Sequence, residues 1–184
     1  MKHHRRDALR VDHLDNDQRV AVLEREARQL ADDARDQEAG HNPPGKDRLV
    51  TSCAGSLLHD GELTSHSSST KRHGQRELET HPALKGVLDQ VENDLRAEGK
   101  YPGAGHGKCA EVALISDRLH KMDPDGTAIR TPEDIREAMR GALVYSVQIG
   151  EQDTPNGFLN HGDYKEPCRS CARMLPLAGV GAHH

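Results

Sequence analysis

Two short segments of this chain concentrate side chains able to do chemistry: Cys109-Ala110-Glu111 and Pro167-Cys168-Arg169-Ser170-Cys171. Together they offer three thiolates and a carboxylate. Three sulfur ligands on a tetrahedral zinc ion leave a fourth position for a water, which a catalytic site needs and a closed structural site lacks. Cys168 and Cys171, at i and i+3, face the same way on a helix, and Pro167 suits the start of that helix because no backbone donor is needed there. Cys109 and Glu111, at i and i+2, diverge by about 200° on an ideal helix, so they share a site only across the helix end. The spacing therefore predicts two helix N-termini converging on one metal. Three thiolates against a dication leave about one net negative charge, which two helix dipoles offset while lowering the thiol pKa values.

The same residues admit other readings. A Cys-x-x-Cys pair also suits a redox couple, a disulfide or half of a zinc ribbon. Cys53 could close the site as a fourth ligand. Its place in a strand-like run favours a buried thiol packed as a small hydrophobe, and a closed site would leave Glu111 without a role. No apolar stretch of the length of a secretory signal follows the basic Met1–Arg10 segment, which argues against an oxidised framework.

The elements that must position these residues can be read from patterning. The chain has 184 residues, 34% hydrophobic and 30% charged, enough for one domain plus an extension. No run approaches the roughly 18 apolar residues of a membrane span. The net charge of −5 argues against indiscriminate nucleic-acid binding. Within residues 1–47, Val20, Leu23, Ala27, Leu30 and Ala34 mark an amphipathic helix over Asp17 to Glu38, docked on the rest of the chain or paired with a second subunit. Gly40 to Gly45 reads as a linker. Residues 48–184 then form the domain that carries the motifs.

In that domain, Leu49–Leu58 and Glu62–Ser68 flank His59-Asp60-Gly61 as a hairpin. Lys71, Arg72 and Arg76 follow as a basic cluster able to contact phosphate. Ala83–Ala97 and Cys109–Lys121 have helical spacing, separated by the glycine-rich Gly99–Gly107, where backbone can approach a metal or ligand closely. Thr131-Pro132-Glu133-Asp134 starts a short helix. Ala142–Ile149 is a strand, with Val144 and Ser146 on one face and Leu143, Tyr145 and Val147 on the other. Gly150–Glu166 is a long loop in which His161 and Tyr164 could stack on or hydrogen-bond a ligand. Only Leu177–Ala182 remains for a last short strand. The terminal pairs His3-His4 and His183-His184 read as solvated ends.

The two motifs together resemble the signature of the cytidine deaminase superfamily. Gly107-Lys108-Cys109-Ala110-Glu111, with His81-Pro82 ahead of a helix and the chain end soon after the second motif, narrows the resemblance to the YwqJ-like deaminases found as bacterial polymorphic toxin domains. It covers roughly residues 48–182. The implied fold is α/β, a three-layer α/β/α cytidine deaminase-like arrangement whose mixed sheet has about four strands here, with an N-terminal helical extension. The implied site is Zn2+ held by Cys109, Cys168 and Cys171. Glu111 would shuttle a proton from water to the ring nitrogen and the departing amino group. His106 is then a loop neighbour of the site, because Cys109 occupies the first-ligand position. Candidate substrate contacts are His66, Lys71, Arg72, Ala110, His161 and Tyr164. The implied substrate is a nucleobase, cytosine first, in DNA, RNA or a free nucleoside; an inactive deaminase-like binding module with structural zinc is the other class. A toxin working in the cytoplasm, its own or that of a target cell, would have a cognate immunity protein, and the N-terminal helix offers a surface for a homodimer.

Overall fold

The computed structural model describes residues 3–39, 52–68, 79–103, 105–154 and 157–184. The expected linker at Gly40–Gly45 and the basic cluster Lys71, Arg72 and Arg76 lie outside the described residues. In chain order the elements are β1 (Arg5–Arg10), α1 (Asn16–Ala39), β2 (Ser52–His59), β3 (Glu62–Ser67), α2 (Pro82–Ala97), α3 (Ala110–Met122), α4 (Pro132–Ala138), β4 (Ala142–Ile149), β5 (Gln152–Thr154), β6 (Gly157–Leu159), α5 (Arg169–Leu177) and β7 (Val180–Ala182). A mixed sheet runs in the order β1-β3-β2-β4-β7, all pairs antiparallel except β4 with β7.

Five strands replace the expected four, and the additional one is β1, from the segment read as a helical extension. Its sequence, Arg5-Arg6-Asp7-Ala8-Leu9-Arg10, is charged, mostly exposed and bulged between Arg6 and Leu9. Those are the devices that protect an edge strand from further pairing, and they erase the alternation by which a strand is recognised. The β2–β3 hairpin turns at Asp60 (φ 49°) and Gly61 (φ 67°), the pair of positive φ angles that a two-residue turn matched to strand twist requires. The expected helix start at Thr131 is a full capping box with Asp134.

Helices cover both faces of the sheet. On one face Leu23, Ala27, Leu30, Ala31 and Ala34 of α1 pack on Ala54, Leu63, Tyr145, Val147 and Ile149. The seam expected of an amphipathic helix is therefore spent on the sheet. On the other face α2, α3 and α5 bury Leu84, Val91, Leu95, Ile115, Leu119 and Met174 against Leu57 and Val144. The strand ends are less isolated than their histidine pairs imply. His3 stacks on His66, and His183 contacts Tyr145 and pairs with Glu24 of α1 at 3.0 Å.

Candidate metal centre

Helix starts bring the sulfurs together. Cys109 is the N-cap of α3 and Cys168 the N-cap of α5, both with extended backbone angles. Each thiol thereby stands in front of a helix N-terminus. Cys171, one turn into α5, is fully buried. The three Sγ atoms lie within 4.8 Å of one another, and Cys109 and Cys168 are 3.5 Å apart. Bonds of about 2.3 Å to a tetrahedral zinc would set sulfurs about 3.8 Å apart, so the cluster fits a metal with little movement.

The glycine-rich loop before α3 closes around the sulfurs by lacking side chains. A Cβ on Gly105 would stand 2.8 Å from Cys109 Sγ, and one on Gly103 would stand 3.1 Å from Cys168 Sγ. The loop is fastened on both motifs: Gly105 O accepts from Cys109 Sγ at 3.0 Å, and Gly103 N–H donates to Ser170 Oγ at 3.1 Å. Arg169 adds a bond to Tyr101 O.

The sulfurs share protons closely. Hydrogen bonds from Cys109 and then Cys171, backed by the N–H groups of Cys171 and Ser170, pull the Cys168 thiol down to about 2. Sharing with Cys168 pushes Cys109 up, and sharing with Cys109 and Cys168 pushes Cys171 up. A soft dication between them would hold all three as thiolates.

Glu111 sits beside the trio, 3% exposed, in the first turn of α3. Its Oε1 accepts from Ser146 Oγ at 3.1 Å, and Oε2 lies 3.8 Å from Cys171 Sγ. Burial pushes this carboxyl up, with the negative charge on Cys168 adding to it; Ser146 and Lys165 oppose the shift. Ser146 projects from the β4 face that meets α3, and Gly55 on β2 leaves room for it, since a Cβ there would come within 2.9 Å of Ser146 Oγ.

A family model for the YwqJ-like deaminases matches residues 36–180, most of the chain. The chain belongs to the YwqJ-like deaminase family. That places it in the cytidine deaminase superfamily, and its three-layer α/β architecture agrees. Searches of curated proteins and of solved structures found no match. Among the described residues no helix is long and apolar enough to cross a membrane.

Of the residues expected at the deaminase site, Cys109, Cys168, Cys171 and Glu111 come together, with Ala110 buried between the first cysteine and the glutamate. Tyr164 lines a crevice with Glu111 and Ser146 and stacks on Tyr145. His161 turns away to α1, its ring bonded to Asp32 at 2.8 Å and to the N–H of Gly150 at 3.1 Å. His66 faces a separate cavity that Cys109 also lines. Cys53 is buried outside the sulfur cluster; burial, followed by the charge of Glu111, pushes its thiol up to about 11. All four cysteines are free thiols. His106 lies 3.7 Å from Glu92, also outside the cluster.

Two site residues escaped the sequence. Ser146 was legible as sharing a strand face with Val144, but not as the partner of Glu111, because the contact joins residues far apart in the chain. Lys165 lines the same crevice as Glu111, with its ammonium on Gln148 Oε1 (2.6 Å), Gln152 Oε1 (3.1 Å) and Ser52 O (3.4 Å). Its three acceptors come from two strands and the β5–β6 hairpin, so no local pattern announces it.

Proposed function

We propose that this deaminase is zinc-dependent and converts cytosine to uracil in nucleic acid, as a bacterial toxin effector. The observation that carries the chemistry is a buried carboxylate, Glu111, held by Ser146 against a cluster of three sulfurs at two helix N-termini. A carboxyl so placed has no structural duty to explain its burial, which is costly for a charged group. Cys109, Cys168 and Cys171 would hold the metal. Bound zinc supplies Lewis acidity that makes water nucleophilic near neutral pH.

The chain's own residues then handle protons. Glu111 takes one from the attacking water and returns it to the ring nitrogen, then helps the amino group leave as ammonia; water and cytosine give uracil and ammonia. Ser146 fixes one carboxylate oxygen so that the other is free to face the reacting atoms. The raised proton affinity of Glu111 suits a group that must both accept and donate. The toxin role and the choice of nucleic acid rest on the family resemblance, and an immunity protein belongs to the same reading.

The test is to measure zinc in the purified protein and assay wild type and Glu111→Ala on cytidine, single-stranded DNA, duplex DNA and RNA. Stoichiometric zinc and Glu111-dependent uracil formation are expected. A zinc-loaded wild type that converts none of the four substrates would sink the reading.

A further inference from the structure

Beside the sulfur cluster, on the flank of α3 that faces the sheet edge, lies a cavity of about 290 Å³. Cys109 forms part of its wall, so the cavity adjoins the metal centre, whereas Glu111 does not line it. Its polar lining mixes two cations, Arg5 and Lys108, with two carboxylates, Glu79 and Asp117. Arg5 reaches in from β1, His66 from β3, Lys108 from the loop before α3, and Asp117 and His120 from α3 itself. Asp117 is already engaged, 3.1 Å from Arg5 and 3.3 Å from His66 Nε2. Three of the unspent groups can donate. Lys108 has no ion-pair partner among the described residues, and His120 Nε2 is buried without a hydrogen bond. Arg5, about half exposed, has further guanidinium N–H groups beyond the one that meets Asp117.

We propose that this cavity is a binding site for the sugar-phosphate part of the substrate, which makes the substrate a nucleotide or a polynucleotide and not a free nucleoside. The inference rests on the deaminase reading above. Lys108 and Arg5 supply charge and, with His120, donors that a phosphoryl group requires, and Glu79 is an acceptor suited to sugar hydroxyls. The volume is near the lower end of small-molecule sites, about 300–1,000 Å³, which suits a sugar phosphate while the base enters at Glu111. The shared wall at Cys109 sets the two places next to each other. β1 thereby gains a purpose: the strand added at the sheet edge brings Arg5 to the cavity.

The test reads binding without turnover. The zinc-supplied full chain is titrated with cytidine, cytidine monophosphate, inorganic phosphate and a short single-stranded oligonucleotide, following backbone amide signals of Gly107, Lys108, Ala113 and His120. Cytidine monophosphate should bind at least tenfold more tightly than cytidine and shift those signals. Arg5→Gln and His120→Gln should each reduce that preference at least fivefold. Should Arg5→Gln fail to fold for want of its Asp117 pair, His120→Gln carries the test alone. Equal affinity for nucleoside and nucleotide in the wild type, or a preference that survives both variants, overturns the proposal. Tighter binding of the oligonucleotide than of the mononucleotide, or the reverse, supports it and identifies the source of the phosphate. Nucleotide preference without any base conversion overturns the proposed function alone, and conversion without preference overturns this site alone.

Discussion

The two faces of the sheet use the same strands for opposite ends. On the α1 face, Ala54, Leu63, Tyr145, Val147 and Ile149 meet Leu23, Ala27, Leu30, Ala31 and Ala34 of the helix, an apolar contact bordered by Arg28, which donates to Tyr145 Oη at 2.6 Å. On the α3 face the register of β2 and β4 begins apolar, with Leu57 and Val144, and turns polar toward the site, with Ser146 and the fully buried Gln148. A one-residue step along β4 separates a core position from one that serves Glu111, because successive side chains point to opposite faces. The difference teaches that stability and chemistry are separable here: one face can be weakened with the site intact, and the other disarmed with the fold intact.

Changes at the polar face should show the largest effect. Glu111→Gln should lower kcat/KM by about 10²–10⁴, the usual contribution of a positioned acid–base group, with zinc content and melting temperature close to wild type. A fall in melting temperature that matched the loss of activity would break the separation. The converse lies in α1. Leu30→Ala, in a side chain 1% exposed, should cost about 2–5 kcal/mol in urea unfolding while the folded fraction keeps its zinc. Between the two sits Gly105→Ala, whose new Cβ meets Cys109 Sγ; it should weaken zinc binding about 10–100-fold, measured by chelator competition, as changes around metal ligands commonly do. Unchanged affinity would mean that the loop does not close on the sulfur.

The smallest effect sharpens the comparison at the sheet edge. Burial, then the nearby His66, holds His3 down to about 4, against an ordinary value near 6.5; His4 and Arg5 add to the depression and Asp117 opposes it. Since the unfolded chain takes up that proton first, the contribution of His3 to stability is unaffected above about pH 6.5 and is lost as pH falls from there toward 4. His3→Gln should flatten that part of the stability–pH curve, read by chemical denaturation at a series of pH values. A curve of unchanged slope would show that His3 is free in solution.

Much of this was legible in the chain. The Asp60-Gly61 turn, the Thr131 cap and the β4 strand were set by local chemistry, so nearby residues sufficed to find them. The two motifs were legible for the same reason, since i to i+3 spacing and an N-cap position are local facts. β1 was not legible, because a charged, bulged edge strand has no periodic signal. His161 looked suited to the site by its place in the loop, yet its ring is satisfied by Asp32 on α1, a partner 129 residues away in sequence.

What the sequence determined by itself was the donor set, three thiols and a carboxylate at two helix starts, since ligand chemistry and helix geometry are properties of short segments. The tertiary structure decided the rest. It brought Cys109, Cys168 and Cys171 together and left Cys53 apart, gave Glu111 its partner in Ser146, and opened a polar-lined cavity between α3 and an unforeseen edge strand. These outcomes depend on strand order and register, which bring distant residues within bonding distance and leave no trace in local spacing.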